Sequence, residues 1–226
     1  MQYQFPEIRH LDDVRAAIEG RDEFIIAERD WGYVVNYMVS MTDTFPAVSD
    51  DQWWCPGCKQ LMSATMGCGS QRCPEPVNLA AIRRECRGMI FCPNTSRIVR
   101  RPLTKFFNIG ERDETQIHRL DFTKHHRVYT KLDGSMIVPF EVGYGSGMIR
   151  WGTKMGLSEV ALKAEVFVAQ HPKYAAFARW CISQDISPIF EYTAPDNRIV
   201  VKYDDESLTL LTARHMITGE YLDIRV

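Results

Sequence analysis

At 226 residues, with 45% apolar and 25% charged positions, the chain has a globular composition and enough length to bury a sizeable core. No apolar run approaches the roughly 20 residues that span a bilayer, and Met1 to Pro6 lacks the basic-then-apolar pattern of a leader; a cytoplasmic protein with no membrane contact is expected. A formal net charge of −2 argues against a broad nucleic-acid surface and leaves room only for local contacts.

In chain order, a helix comes first. Leu11, Val14, Ala17 and Ile18 share one helical face, and Gly20 can stop the helix. Residues 24–27 and 33–37 read as strands around an Asp30-Trp31-Gly32 turn. Residues 53–78 differ in composition, with four Cys, three Gly and three Pro. Cys55, Cys58, Cys68 and Cys73 follow C-x2-C-x9-C-x4-C. That spacing suits a closed tetrahedral thiolate site, so this stretch is expected to be a zinc-binding insert whose metal replaces a core. Trp53, Trp54, Lys59 and Arg72 could touch RNA there, although packing is the better use for the two indoles. Cys86, Cys92 and Cys181 fall in strand or helix patterns and are expected to be buried apolar residues.

Strands are then expected at 88–91, 97–100, 127–130 and 136–140. Residues 158–183 have helical periodicity, with Ser158 as N-cap and Pro172 dividing two helices. Strands at 189–193, 199–203 and 208–213 follow, joined by turns at 195–197 and 204–205. The class is α+β, with antiparallel sheets and flanking helices.

Lys131-Leu132-Asp133-Gly134-Ser135 lies between two strand-like runs, and Asp-Gly favours a tight hairpin that would present the lysine at a strand end. An ammonium is no nucleophile; the amine becomes one when burial or neighbouring cations lower its pKa. Read alone, the pentapeptide is equally an ordinary hairpin with a solvated lysine. Glu191 ends an apolar strand, and a carboxylate there suits ribose hydroxyls.

Lys-x-Asp-Gly is the nucleophile motif of covalent nucleotidyltransferases. Three further segments occur with it in one order: Glu85-Cys86-Arg87-Gly88-Met89-Ile90-Phe91, Arg101-Pro102-Leu103-Thr104-Lys105-Phe106-Phe107-Asn108, and Phe190-Glu191-Tyr192-Thr193-Ala194-Pro195-Asp196-Asn197-Arg198. The string resembles the phage T4 RNA ligase 1 family from the first strands to the last residues, outside the Cys-rich insert. The resemblance implies an ATP-grasp-like nucleotidyltransferase domain over 1–226, incomplete at its C-terminal end, with 53–78 inserted. It also implies a lysyl-AMP on Lys131, AMP transfer to an RNA 5′-phosphate, and sealing by a 3′-hydroxyl. Arg87 and Lys105 are then the phosphate contacts, expected to depress the Lys131 pKa. Phe107, Asp133, Gly134 and Lys154 join the nucleotide site, Glu191 takes nucleotide or metal, and Mg2+ or Mn2+ accompanies ATP. RNA repair, in a host cytoplasm if phage-encoded, comes by analogy. The family's next motifs, a Glu-Gly strand and a Lys-x-Lys strand, are not found after Leu222. The expectation is therefore an exposed sheet edge, poor self-adenylation of the chain alone, and a second polypeptide carrying those motifs. An inactive, zinc-dependent RNA-binding remnant is the alternative. The Arg-Pro-x-x-Lys-Phe-Phe-Asn run argues against a DNA ligase or capping enzyme.

Overall fold

A computed structural model describes residues 5–41, 43–48, 53–55, 57–62 and 77–224. Two four-stranded antiparallel sheets carry the chain. The first has the order β1-β2-β6-β7, from β1 (Phe24–Arg29), β2 (Gly32–Tyr37), β6 (Arg87–Phe91) and β7 (Ile98–Arg100). The second has the order β11-β10-β8-β9, from β8 (Ser135–Glu141), β9 (Ile149–Gly152), β10 (Ile186–Thr193) and β11 (Ser207–His215). A small sheet, β4-β3-β5, joins Gln60–Met62, Trp53–Cys55 and Val77–Asn78.

Helices cover one face of each large sheet. α1 (Leu11–Ile18) buries the four apolar residues expected of it, and His10 caps its start in a capping box with Asp13. α2 (Leu79–Glu85) has no counterpart in the sequence reading; Asn78 caps it by accepting from the Ala81 N–H. These helices, β1, β2 and β6 enclose a core around Ile8, Val35, Phe45, Ile82, Met89 and Phe91. α3 (Glu159–Gln170) starts at its Ser158 cap and α4 (Pro172–Ser183) starts on proline, as the sequence predicts. Both helices cover the second sheet through Phe167, Ala178, Phe190 and Tyr192. A third cluster, Val34, Ile90, Cys92, Val99 and Phe140, forms the seam between the sheets.

The three cysteines outside the insert, Cys86, Cys92 and Cys181, are buried. β11 is the outer strand of its sheet. Residues 220–222 return along its end, where the His215 N–H donates to Glu220 and the Leu222 N–H to Ala213, and Leu211 stays exposed further along. No helix among the described residues is long and apolar enough to cross a membrane.

Two expected strands do not form. Residues 127–130 and 199–203 are irregular and mostly exposed, with Val128 90% and Val200 72% accessible. Neither run has a partner strand, and β-branched or aromatic residues make a strand only where another pairs with it. The Asp133-Gly134 hairpin is likewise replaced by a bend. The Asp133 carboxylate accepts from the N–H groups of Val200 (2.5 Å) and Val201 (2.6 Å), which ties the two irregular segments together.

Candidate functional site

The site lies where the two sheets meet. Its first device is a β-bulge between β2 and β6. Val35 pairs with Met89 and Asn36 with Arg87, so Gly88 is the extra residue. Gly88 sits at φ +89°, and a Cβ there would lie 2.8 Å from the Lys154 carbonyl oxygen. The Arg-Gly pair is thus explained physically: glycine lets the Lys154 backbone pack onto β6 beside Arg87.

Arg87 is at the centre of a cationic group. Its guanidinium lies over Phe106 at 5.2 Å and raises the local positive potential at both Lys105 and Lys154. The Lys154 Nζ sits 3.6 Å from the centroid of the Tyr37 ring and donates to the Tyr37 carbonyl at 3.4 Å. Burial, then Arg87 and Lys105, lower the Lys154 pKa to about 8. Lys105 lies over Phe107 at 4.6 Å and shows the same direction of shift, chiefly from burial. Arg87, Lys105 and Lys154 make no ion pair among the described residues. Cations gathered without an ion pair suit an anion of several charges; the carboxylates whose charge reaches them are Glu111 at Lys105 and Glu191 at Arg87.

On the facing sheet, the Glu191 carboxylate accepts the Gly134 N–H at 3.0 Å. Burial raises its pKa, while the Gly134 N–H, Lys131 and Arg87 pull it back. Gly134 is required by closeness rather than by its dihedrals: a Cβ there would collide with the Tyr192 carbonyl oxygen. Asp133 is half-buried, and the two backbone N–H groups it accepts hold its carboxyl below the usual range. Its own N–H donates to the Tyr203 hydroxyl at 2.9 Å. Lys131 is exposed beside these two carboxylates.

The sequence-predicted residues Lys131, Asp133, Gly134, Glu191, Arg87, Lys105 and Lys154 are therefore drawn into one region. Arg87 and Lys105 add to burial in lowering the pKa of Lys154, and Lys131 stands beside the carboxylates of Asp133 and Glu191. Phe106 and Phe107 diverge as expected but in irregular chain, not a strand. Phe107 packs against Phe45 and the first core, and Phe106 is 56% exposed.

Three supporting residues were missed. Tyr37 carries the Lys154 amine. Asn36, 1% exposed, donates to the Lys154 carbonyl at 3.1 Å. Arg100, fully buried, donates to the carbonyls of Gly88 (2.9 Å) and Thr153 (2.9 Å), and burial lowers its pKa to about 9. The one available signal was Arg100 in a three-residue strand, on the same face as Ile98.

In the Cys-rich insert, Cys55 is buried and Cys58 exposed. The Cys58 N–H donates to the Cys55 sulfur at 3.5 Å, the Lys59 N–H donates to the Cys55 carbonyl, and Lys59 is left-handed at φ 54°. Cys68, Cys73 and Arg72 lie outside the described residues, among which no group of three metal-binding side chains occurs. Trp53 and Trp54 are half-buried, and Trp54 packs on the first core. A cavity of about 830 Å3 opens between α1, β1, Trp54 and Lys59, away from the cationic group.

A family model described as RNA ligase, of the T4 RNA ligase 1 type, matches residues 85–225. The chain belongs to the T4 RNA ligase 1 family. The matched span contains every residue of the cationic group, Lys131 and Glu191, and begins after the Cys-rich insert. A protein of Thermovibrio ammonificans named "Putative RNA ligase" is 35% identical over 142 residues, covering 62% of this chain and 36% of that protein. One of Autographa californica nuclear polyhedrosis virus, named "Putative bifunctional polynucleotide kinase/RNA ligase", is 30% identical over 153 residues, covering 61% of this chain and 22% of its own length. The chain thus spans well under half the length of these relatives of the family.

Proposed function

We propose that this chain is the nucleotidyltransferase part of an ATP-dependent RNA ligase. The observation that supports it most is the unpaired cationic group of Arg87, Lys105 and Lys154 facing Glu191 and Lys131 across the sheet junction. ATP enters with its phosphates on the three cations and its ring toward Phe107. The unprotonated Lys131 amine attacks the α-phosphorus; a P–N bond forms, the bond to pyrophosphate breaks, and one of the two amine protons is lost to solvent while the other stays on nitrogen. An oxygen of an RNA 5′-phosphate next attacks that phosphorus, the P–N bond breaks, and the RNA carries a 5′-5′ pyrophosphate-linked AMP. A 3′-hydroxyl then attacks the RNA phosphate, AMP departs, and a phosphodiester is left. In such transfers positioning and charge neutralisation dominate. Lys154, readily deprotonated next to Arg87, can also exchange a proton with the reacting phosphates.

Mg2+ is ordinarily held by one or two carboxylates plus substrate phosphates. Glu191, half-buried beside Lys131 and Arg87, fits that demand, and the ion would neutralise phosphate charge there. Zn2+ fits the insert. The N–H to sulfur bond between Cys58 and Cys55 and the left-handed Lys59 form the first half of a knuckle, and Cys68 and Cys73 supply the remaining thiols in sequence. The domain reading is 1–226 with an insert at 53–78.

Mass spectrometry of the protein after incubation with ATP and Mg2+ tests the reading. An AMP adduct mapped to Lys131 and absent from Lys131→Ala is the expected result. ATP binding without any adduct favours the inactive RNA-binding module. No ATP binding at all overturns the assignment.

A further inference from the structure

The segment leading to Lys131 has no role in the reading above. Residues 121–131 are exposed without interruption and form neither helix nor strand. The chain as a whole has a net charge of −2. Between His118 and Lys131, however, Arg119, Lys124, Arg127 and Lys131 stand against Asp121 alone, and three of the six histidines, His118, His125 and His126, lie among them. Two aromatic rings are interleaved with these charges and face solvent: Phe122 is 54% and Tyr129 74% exposed. Phe122 meets His126 in an edge contact and the Tyr129 hydroxyl accepts from Arg127 at 3.4 Å, which leaves much of both rings open to a stacking partner.

Three ion pairs restrain the cations: Arg119 with Asp113, Lys124 with Asp121, and Arg127 with Asp223. All lie at the surface, where such pairs contribute little and exchange readily for phosphate. The last one also fixes where the segment runs. Asp223 follows Tyr221, whose hydroxyl accepts the Thr104 N–H next to Lys105 and whose ring lies within the field of Arg87. At its far end the segment is anchored by Asp133 on Val200 and Val201. An exposed basic and aromatic strap therefore runs past Asp223 at Arg127 and ends at Lys131.

We infer that residues 118–130 form the docking strap for single-stranded RNA at its 5′-phosphate end, with Lys124 and Arg127 on the phosphates and Phe122 and Tyr129 stacked on bases. Stacking on a π-face tolerates any sequence, and two cations suffice for a short end in an otherwise acidic protein. The inference rests on the RNA ligase reading for the choice of nucleic acid.

The test is fluorescence anisotropy with a short 5′-phosphorylated single-stranded RNA over a salt series, using the full chain, with ATP binding measured in parallel. Lys124→Glu with Arg127→Glu should weaken RNA at least about tenfold and flatten the plot of log affinity against log salt by about 0.7 for each lost phosphate contact. Phe122→Ala with Tyr129→Ala should weaken RNA about tenfold with the salt slope kept. Both variants should bind ATP as the parent does. Unchanged RNA affinity and slope would overturn the strap. Failure of the parent to bind ATP would instead overturn the function proposed above, whatever the RNA result. Photocrosslinking of a 4-thiouridine RNA to the unmodified protein needs no variant to fold: adducts at Phe122 or Tyr129 support the strap, and adducts confined to Trp53 and Trp54 refute it.

Discussion

Two arginine-bearing clusters flank Cys86, and they differ in one respect. Toward the first core, Glu85 accepts from Arg101 Nε (2.9 Å) and from both Nη atoms of Arg214 (2.9 and 3.1 Å), all three side chains being fully buried. The guanidiniums are finished off by the carbonyls of Pro6, Ile217, Pro102 and Gly219. Two residues further along, Arg87 joins Lys105 and Lys154 with no carboxylate in an ion pair with any of them. The first cluster satisfies its charge internally and ties Pro6 and residues 217–219 to the end of α2. The second has no such anion within it, as the proposed phosphate site requires. A buried carboxylate is what separates the two.

The comparison is broken most forcefully at Glu85. Glu85→Ala leaves two buried guanidiniums without their anion, and the loss should be on the order of 3–5 kcal/mol. Urea unfolding at pH 7 measures it. A loss below about 1 kcal/mol would show that the carbonyls alone satisfy both arginines. Arg87→Ala tests the other side. It removes a charge-assisted contact of about 1.5–3 kcal/mol, so ATP should bind roughly tenfold to a hundredfold more weakly, with little change in unfolding. Isothermal titration of both variants against ATP gives the answer; equal losses of stability in the two would erase the distinction.

The second helix layer and most strands were legible in the sequence, because Ser158 and Pro172 act on the backbone locally and the apolar alternation acts over a few residues. Motif spacing singled out Arg87, Lys105, Lys131, Lys154 and Glu191, and the fold brings them into one region. What stayed hidden depends on distant partners. Nothing near Val128 or Val200 says that no strand will pair with them, and nothing near Arg100 says that its donors will meet carbonyls fifty residues away. α2 was lost because it starts directly after the Cys-rich composition, with only Asn78 marking its beginning. That Arg87 and Lys105 also act on Lys154 was hidden too, since it depends on the Gly88 bulge admitting the Lys154 backbone.

Lys154 sharpens the comparison through pH. Its folded pKa of about 8 lies below the ordinary 10.5, so between these values the unfolded chain holds a proton that the folded one has released. Stability should therefore rise with pH from about 8 to about 10.5. At pH 7 the amine is charged in both states and its burial costs stability in full. After allowance for solvent screening, Lys154→Met should be more stable than the parent by about 1 kcal/mol at pH 7. That advantage should shrink as pH climbs through 8. Unfolding at pH 7 and pH 10 measures both ends; an advantage that stays constant would assign the gain to packing against Tyr37 and not to charge.

The smallest expected effect is at Glu191, and its sign is opposite to that at Glu85. Burial raises the folded Glu191 pKa above its unfolded value. Its stability contribution is thus whole in acid, below the unfolded pKa, and is lost as pH rises through the folded one. Glu191→Gln keeps an oxygen for the Gly134 N–H and removes the charge that burial penalises. It should be more stable than the parent by some tenths of a kcal/mol at neutral pH, with no difference below the carboxylate range. Glu85 answers two arginines in direct contact and stabilises the fold as an anion. Glu191 is penalised by burial as an anion and stands beside Lys131, the lysine proposed to meet a phosphate. A glutamate whose removal stabilises the protein is kept for a task other than folding, and thermal unfolding of the two variants side by side at pH 7 decides whether these glutamates divide in that way.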